Sequence, residues 1–263
     1  MMRVKSCDSM SEGSSLTSRN PLICFLYMSR ARSTMLLAEE LVGKCSNLAL
    51  IAGIQTQGRG RYGRRWSSPR GGLWFSLLHD LKIDPSLLPF VGLAMAISVV
   101  ECLKDFGIEA KIKWPNDVIV NDRKICGILI DSKILKNKTS HIIAGVGINV
   151  NFSSNILPVE LKDKTITLFD ILGYKIDLIS LLDALTEKYY AYMKELQREN
   201  LSLILEKVNT SLYGKGEEVI VYTTNGSFRG KLERIDESGA LIISVGKIEY
   251  FIDYASVKKL LKL

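Results

Sequence analysis

Apolar positions along this chain fall into patterns of three kinds. Leu22-Ile23-Cys24-Phe25-Leu26-Tyr27, Leu48 to Ile54 and Leu73-Trp74-Phe75-Ser76-Leu77-Leu78 are short, nearly unbroken apolar runs and predict buried strands. Met35 to Val42 is apolar at helical spacing, opened by the capping hydroxyls of Ser33-Thr34 and stopped by Gly43, so a short helix is expected there. The run from Leu87 to Val100 holds a Pro and a Gly and meets Glu101; it falls short of the roughly 20 residues a membrane span requires and reads as a buried helix over 86–106, ended by Gly107. From Lys111 the period becomes two. Lys111 to Trp114, Val118 to Val120 and Lys124 to Ile130 are three strands punctuated by Pro115-Asn116-Asp117 and Asn121-Asp122, and a strand over His141 to Ala144 runs into Gly145-Val146-Gly147-Ile148-Asn149. Residues 178–212 form the longest helical stretch, with Leu178, Leu181, Leu182, Leu185, Tyr189, Tyr192, Met193 and Leu196 on one face. Beyond Gly214 short alternating strands (219–222, 228–235, 240–245, 248–252) separated by tight turns predict a small β-barrel.

Composition narrows the class. With 263 residues and 47% hydrophobic content the chain can bury one large core and one small one. The Ser-rich residues 1–20 read as a disordered N-terminal segment, followed by a main domain over 21–213 and a small one over 214–263. Nothing addresses the chain elsewhere than the cytosol, and no membrane partner is expected. The five cysteines never fall in a Cys-x-x-Cys spacing and the only histidines are His79 and His141, which argues against zinc, disulfide frameworks and Ser-His or Cys-His nucleophiles. Chemistry must then run on Lys, Arg, carboxylates, amides and backbone groups. A net charge of +7 favours an anionic partner without choosing among nucleic acid, nucleotide and acidic protein.

Three clusters carry candidate chemistry. Gly58-Arg59-Gly60-Arg61-Tyr62-Gly63-Arg64-Arg65-Trp66-Ser67-Ser68-Pro69-Arg70 holds five arginines, three glycines and no carboxylate. Its backbone can nest anionic oxygens and its guanidinium forks suit phosphate; the same composition also serves RNA-binding tails and plain solvated surface. Its position between two core strands favours a lid over a site. The second cluster, Lys113-Trp114-Pro115-Asn116-Asp117, is by itself equally an ordinary strand-turn-strand. Lys124, which heads the strand face of Cys126, Ile128 and Ile130, is the position expected for a functional cation with only an anionic ligand to meet it, or else a lysine snorkelling past a sheet edge. In the third, Gly145 and Gly147 permit close backbone approach and Asn149 can meet a base edge. It is too short for a dinucleotide fingerprint.

Taken in order and at these separations, GRGRYGRRWSSP, KWPND with the later Lys124 in DRKICGIL, and GVGINVN resemble the biotin protein ligases from about residue 22 to the C-terminus. The resemblance implies an α+β fold, a mixed β-sheet backed by helices of the class II aminoacyl-tRNA-synthetase-like biotin-lipoate ligase kind, with an SH3-like C-terminal barrel. It implies ATP and Mg²⁺ as cofactors, biotin as substrate, biotinyl-5′-AMP as intermediate and a lysine of a biotin carboxyl carrier domain, acidic in surface, as acceptor. Ser33, Thr34, Met35, Gln55, Gly58, Arg59, Gly60, Arg61, Lys124 and Gly145 would contact biotin; Arg61, Arg64, Trp66, Lys113, Asn116, Asp117, Lys124 and Asn149 would serve ATP; Arg59, Arg61 and Lys124 would carry catalysis. Which carboxylate holds the metal stays open. The family's Asp-Ser-Thr-Asn is here Arg32-Ser33-Thr34-Met35, so that Met35 would contact biotin through backbone only, and its Gly-Glu near the chain end is Asp253-Tyr254-Ala255-Ser256. Only 32 residues precede Ser33, too few for a three-helix DNA-binding domain, so no DNA partner is expected; the resemblance allows a homodimer. A lipoate ligase and a basic nucleic-acid-binding protein are the competing readings.

Overall fold

The computed structural model describes residues 24–45 and 47–263; residues 1–20 and the start of the first expected strand, Leu22 and Ile23, lie outside the described residues. In chain order the elements are β1 (Cys24–Met28), α1 (Thr34–Leu41), β2 (Leu48–Ala52), β3 (Leu73–His79), α2 (Leu88–Lys104), β4 (Lys111–Lys113), β5 (Asp117–Val120), β6 (Arg123–Leu135), β7 (Lys138–Ile148), α3 (Val159–Lys162), α4 (Leu168–Leu172), α5 (Leu178–Gln197), α6 (Ser202–Thr210), β8 (Glu218–Thr223), β9 (Gly226–Ile235), β10 (Leu241–Val245), β11 (Ile248–Ile252) and β12 (Val257–Lys262). The described residues form two compact units, one of residues 24–85 and 125–187, the other of 86–124 and 188–263. The chain passes between them inside β6 and inside α5. The fold is α+β, a mixed sheet backed by helices, with a small antiparallel sheet at the C-terminus.

In the first unit strands of the mixed sheet run in the order β1-β2-β3-β7-β6. β1 and β2 are parallel and the other pairs antiparallel. All seven residues of β3 are buried, as its unbroken apolar run requires of a strand with neighbours on both edges. β7 is longer than the sequence indicates. It crosses Gly145 and Gly147 to reach Ile148, because the pairing to β3 and β6 holds the glycines extended. β6 likewise continues past Ile130 to Leu135 and returns through a two-residue turn whose Lys136 and Asn137 both take positive φ. α1 packs on this sheet through Met35, Ala38 and Leu41, which join Leu48, Leu50, Leu78 and Ile143 in one cluster. Its expected hydroxyl cap is not made: the Ser33 side chain bonds no helix N–H, and the Thr34 hydroxyl is used elsewhere. α3 and α4 escape the apolar pattern because they are single turns; α4 is fixed by a capping box between Thr167 and Asp170 and ended by left-handed Gly173.

The second unit is built on α2, twelve of whose residues are buried. With its leading 3₁₀ turn the helical stretch Pro85–Lys104 reaches 20 residues at mean hydropathy 2.0, long and apolar enough to cross a membrane, yet 67% of that window is buried within the protein. The β4–β5 hairpin and α6 pack on α2. The continuous stretch expected over 178–212 is two helices, broken where Glu199 turns left-handed at φ 57°. The C-terminal sheet runs β11-β10-β9-β8-β12.

His79, at the end of β3, is 3% exposed, and burial lowers its pKa from 6.5 to about 4. The neutral ring is thus the folded form, and the unfolded chain takes up the extra proton between these values. Its contribution is full above pH 6.5 and is lost as pH falls toward 4, by about 3 kcal/mol over the window. Urea unfolding of wild type and His79→Gln at pH 7 and pH 4.5 should show a smaller loss in the variant; equal losses would sink this assignment.

Candidate active site

Where β3, β7 and β6 run side by side, Trp74 pairs with Gly147 and Gly147 with Gly127, while Ser76 pairs with Gly145 and Gly145 with Leu129. Alternate residues share a face, so Ser76, Gly145, Gly147 and Gly127 make one low patch on the sheet, bordered by Trp74 and Leu129. Two side chains sit directly on it. A Cβ at Gly145 would lie 2.5 Å from Met35 Sδ, and one at Gly147 would lie 2.5 Å from Trp66 Nε1. The close approach expected of this glycine pair is therefore real, and it is made from within a strand. Met35 is 4% exposed and belongs to the α1 core cluster, so its side chain is committed to packing and its backbone alone is left for a ligand.

A hydroxyl-amide network stands beside this patch. The Thr34 N–H and hydroxyl donate to Gln55 Oε1 at 2.9 and 3.2 Å, and Gln55 Nε2 donates to Ser68 Oγ at 2.9 Å. With the Thr34 proton so used, Ser76 supplies the proton of the 2.7 Å Thr34–Ser76 bond. Ser33 is 1% exposed and its Oγ has no partner. A buried hydroxyl without a partner costs about 1–3 kcal/mol, which a polar ligand removes. Sequence reasoning does not find Ser68 or Ser76; the signal for Ser76 is a single hydroxyl inside the apolar run of β3.

The arginine-glycine segment is a small hairpin. The Trp66 N–H donates to Gly58 O at 2.9 Å, Gly60 N–H to Arg64 O at 2.8 Å, and the tip turns through Tyr62 and Gly63, both at positive φ. Gly58 is needed because a Cβ there would meet Trp66 O at 2.5 Å and Ser68 Oγ at 2.8 Å. The expected backbone nest is only partly available, since the Gly60 N–H is bound inside the hairpin. Nor are the arginines free of carboxylates: α1 supplies Glu39, 2.5 Å from Arg59 Nη1. With side chains 47% and 38% exposed, that bridge contributes little and exchanges readily. Arg61 lies over the Tyr62 ring at 5.1 Å, Arg64 Nε donates to Arg61 O and Arg65 to Thr56 O. Trp66, half-buried, meets the edge of Trp74 at 6.4 Å between ring centres. Asn149 is buried just past β7, with its backbone bonded to Ile125 O and Leu168 N.

In the second unit the β4–β5 hairpin brings Lys113 opposite Asp117. Lys124 is expected from the sequence to have only an anionic ligand for a partner; instead its Nζ is 2.6 Å from Asp117 Oδ1. Asn116 lies half-buried in the turn between. Burial lowers the pKa of Lys113, with Asp117 opposing and Lys259 and Lys124 assisting the shift. Two residues without a sequence signal complete this group: Tyr213, 5.5 Å from Lys113 Nζ to ring centre, and Tyr254, whose ring meets Trp114 edge-on at 6.1 Å. No group of three or more His, Cys, Asp or Glu able to hold a metal occurs among the described residues. Asp117 is the carboxylate nearest the lysines, and one carboxylate suits a Mg²⁺ that arrives mostly coordinated by nucleotide phosphates.

Comparison with known proteins agrees. The model of the biotin/lipoate A/B protein ligase family matches residues 27–149. Over 226 residues the chain is 31% identical to the bifunctional ligase/repressor BirA of Bacillus subtilis, covering 84% of this chain and 70% of that protein. It is 27% identical to the biotin–[acetyl-CoA-carboxylase] ligase of Paracoccus denitrificans, covering 82% of this chain and 92% of that one. The structure of the biotin protein ligase from Aquifex aeolicus in complex with biotin and ATP matches with TM-score 0.77 and 30% identity over 91% of this chain and 99% of the other. The chain belongs to the biotin protein ligases of the biotin/lipoate A/B protein ligase family.

A methyl at Gly147 would also lie 2.7 Å from Trp66 Cε2, so Gly147→Ala must move the indole or the strand. Overpacking of this kind costs about 1–3 kcal/mol. A lower melting midpoint with a changed tryptophan emission is expected; a variant identical to wild type in both would show that Trp66 does not rest on the glycine.

Proposed function

We propose that this chain joins biotin to ATP as biotinyl-5′-AMP and passes the biotinyl group to a lysine of a biotin carboxyl carrier domain. A biotin carboxylate oxygen attacks the α-phosphorus and pyrophosphate leaves; the acceptor amine then attacks the acyl carbon, AMP leaves and the amine proton passes to solvent. The observation that carries the reading is the unpartnered buried Ser33 hydroxyl beside the Thr34–Gln55–Ser68–Ser76 network and the Met35-covered glycine patch. This is a polar anchor next to an apolar floor, which suits a ureido ring carrying an aliphatic tail.

The remaining roles follow charge. Gly58 and Gly60 bring the hairpin backbone over the biotin chain, and Arg59 and Arg61 meet the carboxylate and the α-phosphate, Arg59 exchanging Glu39 for the ligand. Arg64, Trp66, Lys113, Asn116, Asp117 and Asn149 hold ATP. Lys124 offsets negative charge as the carboxylate attacks, with Asp117 fixing its position. Mg²⁺, when bound with ATP, neutralises phosphate charge, and Asp117 is the protein ligand the site offers. Bringing two anions together needs fixed positive charge and orientation rather than a histidine. The cytosol, where ATP is at hand, is the compartment this reaction suits, and the +7 charge suits an acidic acceptor surface.

Incubation with biotin, ATP and Mg²⁺ should yield biotinyl-5′-AMP by mass; pyrophosphate release that responds to lipoate and not biotin would overturn the substrate. Lys124→Ala should slow adenylate formation about 10²-fold, the scale of one lost transition-state contact. Near-normal pyrophosphate release by that variant would remove Lys124 from the mechanism.

The hairpin arginines are largely exposed, so trypsin should cut between Arg59 and Arg65 in the free protein and much more slowly with biotin plus ATP. Equal cleavage in both conditions would mean that ligand does not order the hairpin.

A further inference from the structure

We propose that Tyr213 is a positioning residue for the nucleotide: its ring holds the Lys113 ammonium in place while leaving the positive charge unneutralised for a phosphate. The inference rests on the reading of Lys113 as an ATP-binding cation.

The two lysines of the hairpin group are held in opposite ways. Lys124 is bound to Asp117 at 2.6 Å, so much of its charge is cancelled locally. Lys113 stands opposite the same Asp117 in the strand register, but among the described residues no carboxylate comes within ion-pairing distance of it. What holds it at close range is the Tyr213 ring, 5.5 Å from Nζ to centroid, while Asp117 and Asp122 act on it only from beyond ion-pairing distance. A ring quadrupole attracts an ammonium without cancelling its charge, and for a half-buried lysine the attraction is large enough to fix the side chain. A carboxylate there would hold the lysine equally well and then compete with any phosphate.

Tyr213 is itself fixed, as a positioning residue must be. Its backbone N–H donates to Ile112 O at 2.9 Å and its hydroxyl to Asp122 Oδ1 at 2.7 Å. Burial and the Asp122 bond push the phenol up to about 12, so it stays a protonated donor. A second cation, Lys262 of β12, lies 5.8 Å from the same ring, but Glu217 takes its charge at 2.7 Å. That leaves Lys113 as the cation on this ring without a carboxylate of its own. The hairpin supplies the lysine, the segment after α6 supplies the ring, and the turn at Asp122 orients the ring.

The test measures ATP affinity by titration calorimetry with Mg²⁺ and without biotin, alongside steady-state KM and kcat. Tyr213→Leu should raise the Kd and KM for ATP about fivefold, with kcat and the biotin KM within twofold of wild type. Tyr213→Phe, which keeps the ring, should stay within about twofold. In a Lys113→Met background Tyr213→Leu should add almost nothing, because its effect acts through the lysine. Pentafluorophenylalanine at 213 keeps the packing and reverses the ring quadrupole, so it should weaken ATP like Leu even where the Leu variant fails to fold. The inference is overturned if the fluorinated ring binds ATP like Phe, if the Leu effect persists without Lys113, or if biotin KM rises in parallel. Wild type that forms no biotinyl-5′-AMP would defeat the functional reading itself, a result distinct from active wild type with unaffected Tyr213 variants.

Discussion

The absence of side chains at Gly145 and Gly147 is the constraint on which the first unit depends. With no Cβ on that row of β7, Met35 and Trp66 rest directly on the sheet. The first contact seats α1, and with α1 comes the Ser33-Thr34 pair at its start. The second seats the foot of the arginine hairpin, and with it the glycines and guanidinium groups above. Ser76 shares the row with Gly145, so the same strand register that creates the low patch also delivers the hydroxyl that meets Thr34. Packing and polar recognition here come from a single alternation along β3 and β7.

Positive charge is distributed by what each cation rests on. Arg59 has an exposed carboxylate, which it can leave at little cost; Lys124 has a half-buried one, which fixes it; Lys113 has an aromatic ring, which fixes it and leaves its field intact. The proposed adenylation would use all three behaviours. A mobile cation can track an incoming anion, a fixed one can be aligned with the reacting bond, and an uncancelled one can bind phosphate from the start. Net charge alone, +7, would not separate them.

How much of this is legible in the sequence depends on whether local pattern and tertiary role agree. β3, α2 and the hairpin β4–β5 are legible because their periodicity is unbroken. β7 reads as ending at Ala144 because glycine argues against strand, and only pairing on both edges overrides that. The Ser33-Thr34 hydroxyls read as a helix cap because Ser and Thr before an apolar helix usually are; here Thr34 is drawn away by Gln55 and Ser76, partners 21 and 42 residues distant that no local rule sees. Lys124 reads as a cation entering an apolar face, but its carboxylate lies across a turn in Asp117 and the sequence gives no pairing distance. Residues gathered in contiguous motifs are visible in the sequence, and those brought by distant segments, Glu39, Ser76 and Tyr213, are not.

The C-terminal strand β12 shows the same limit in its sharpest form. Val257-Lys258-Lys259-Leu260-Leu261-Lys262 buries residues 257 and 260, a spacing of three that belongs to neither an alternating strand nor a helix of this length. The register against β8 slips between Val257 and Lys259, and that bulge inserts the extra residue which brings both apolar side chains to one face. The bulge also sets the phase of the rest of the strand, placing Lys262 near Tyr213, while Tyr254 before the strand meets Trp114. The segment before β12 thus brings an aromatic ring to the Lys113-Trp114-Pro115-Asn116-Asp117 turn. An edge-on ring pair between buried Trp114 and Tyr254 fixes that turn by packing and adds no charge beside Lys113 and Lys124. An acid at that place would have stood beside Lys113, whose value to a phosphate ligand lies in its not being paired with a carboxylate as Lys124 is.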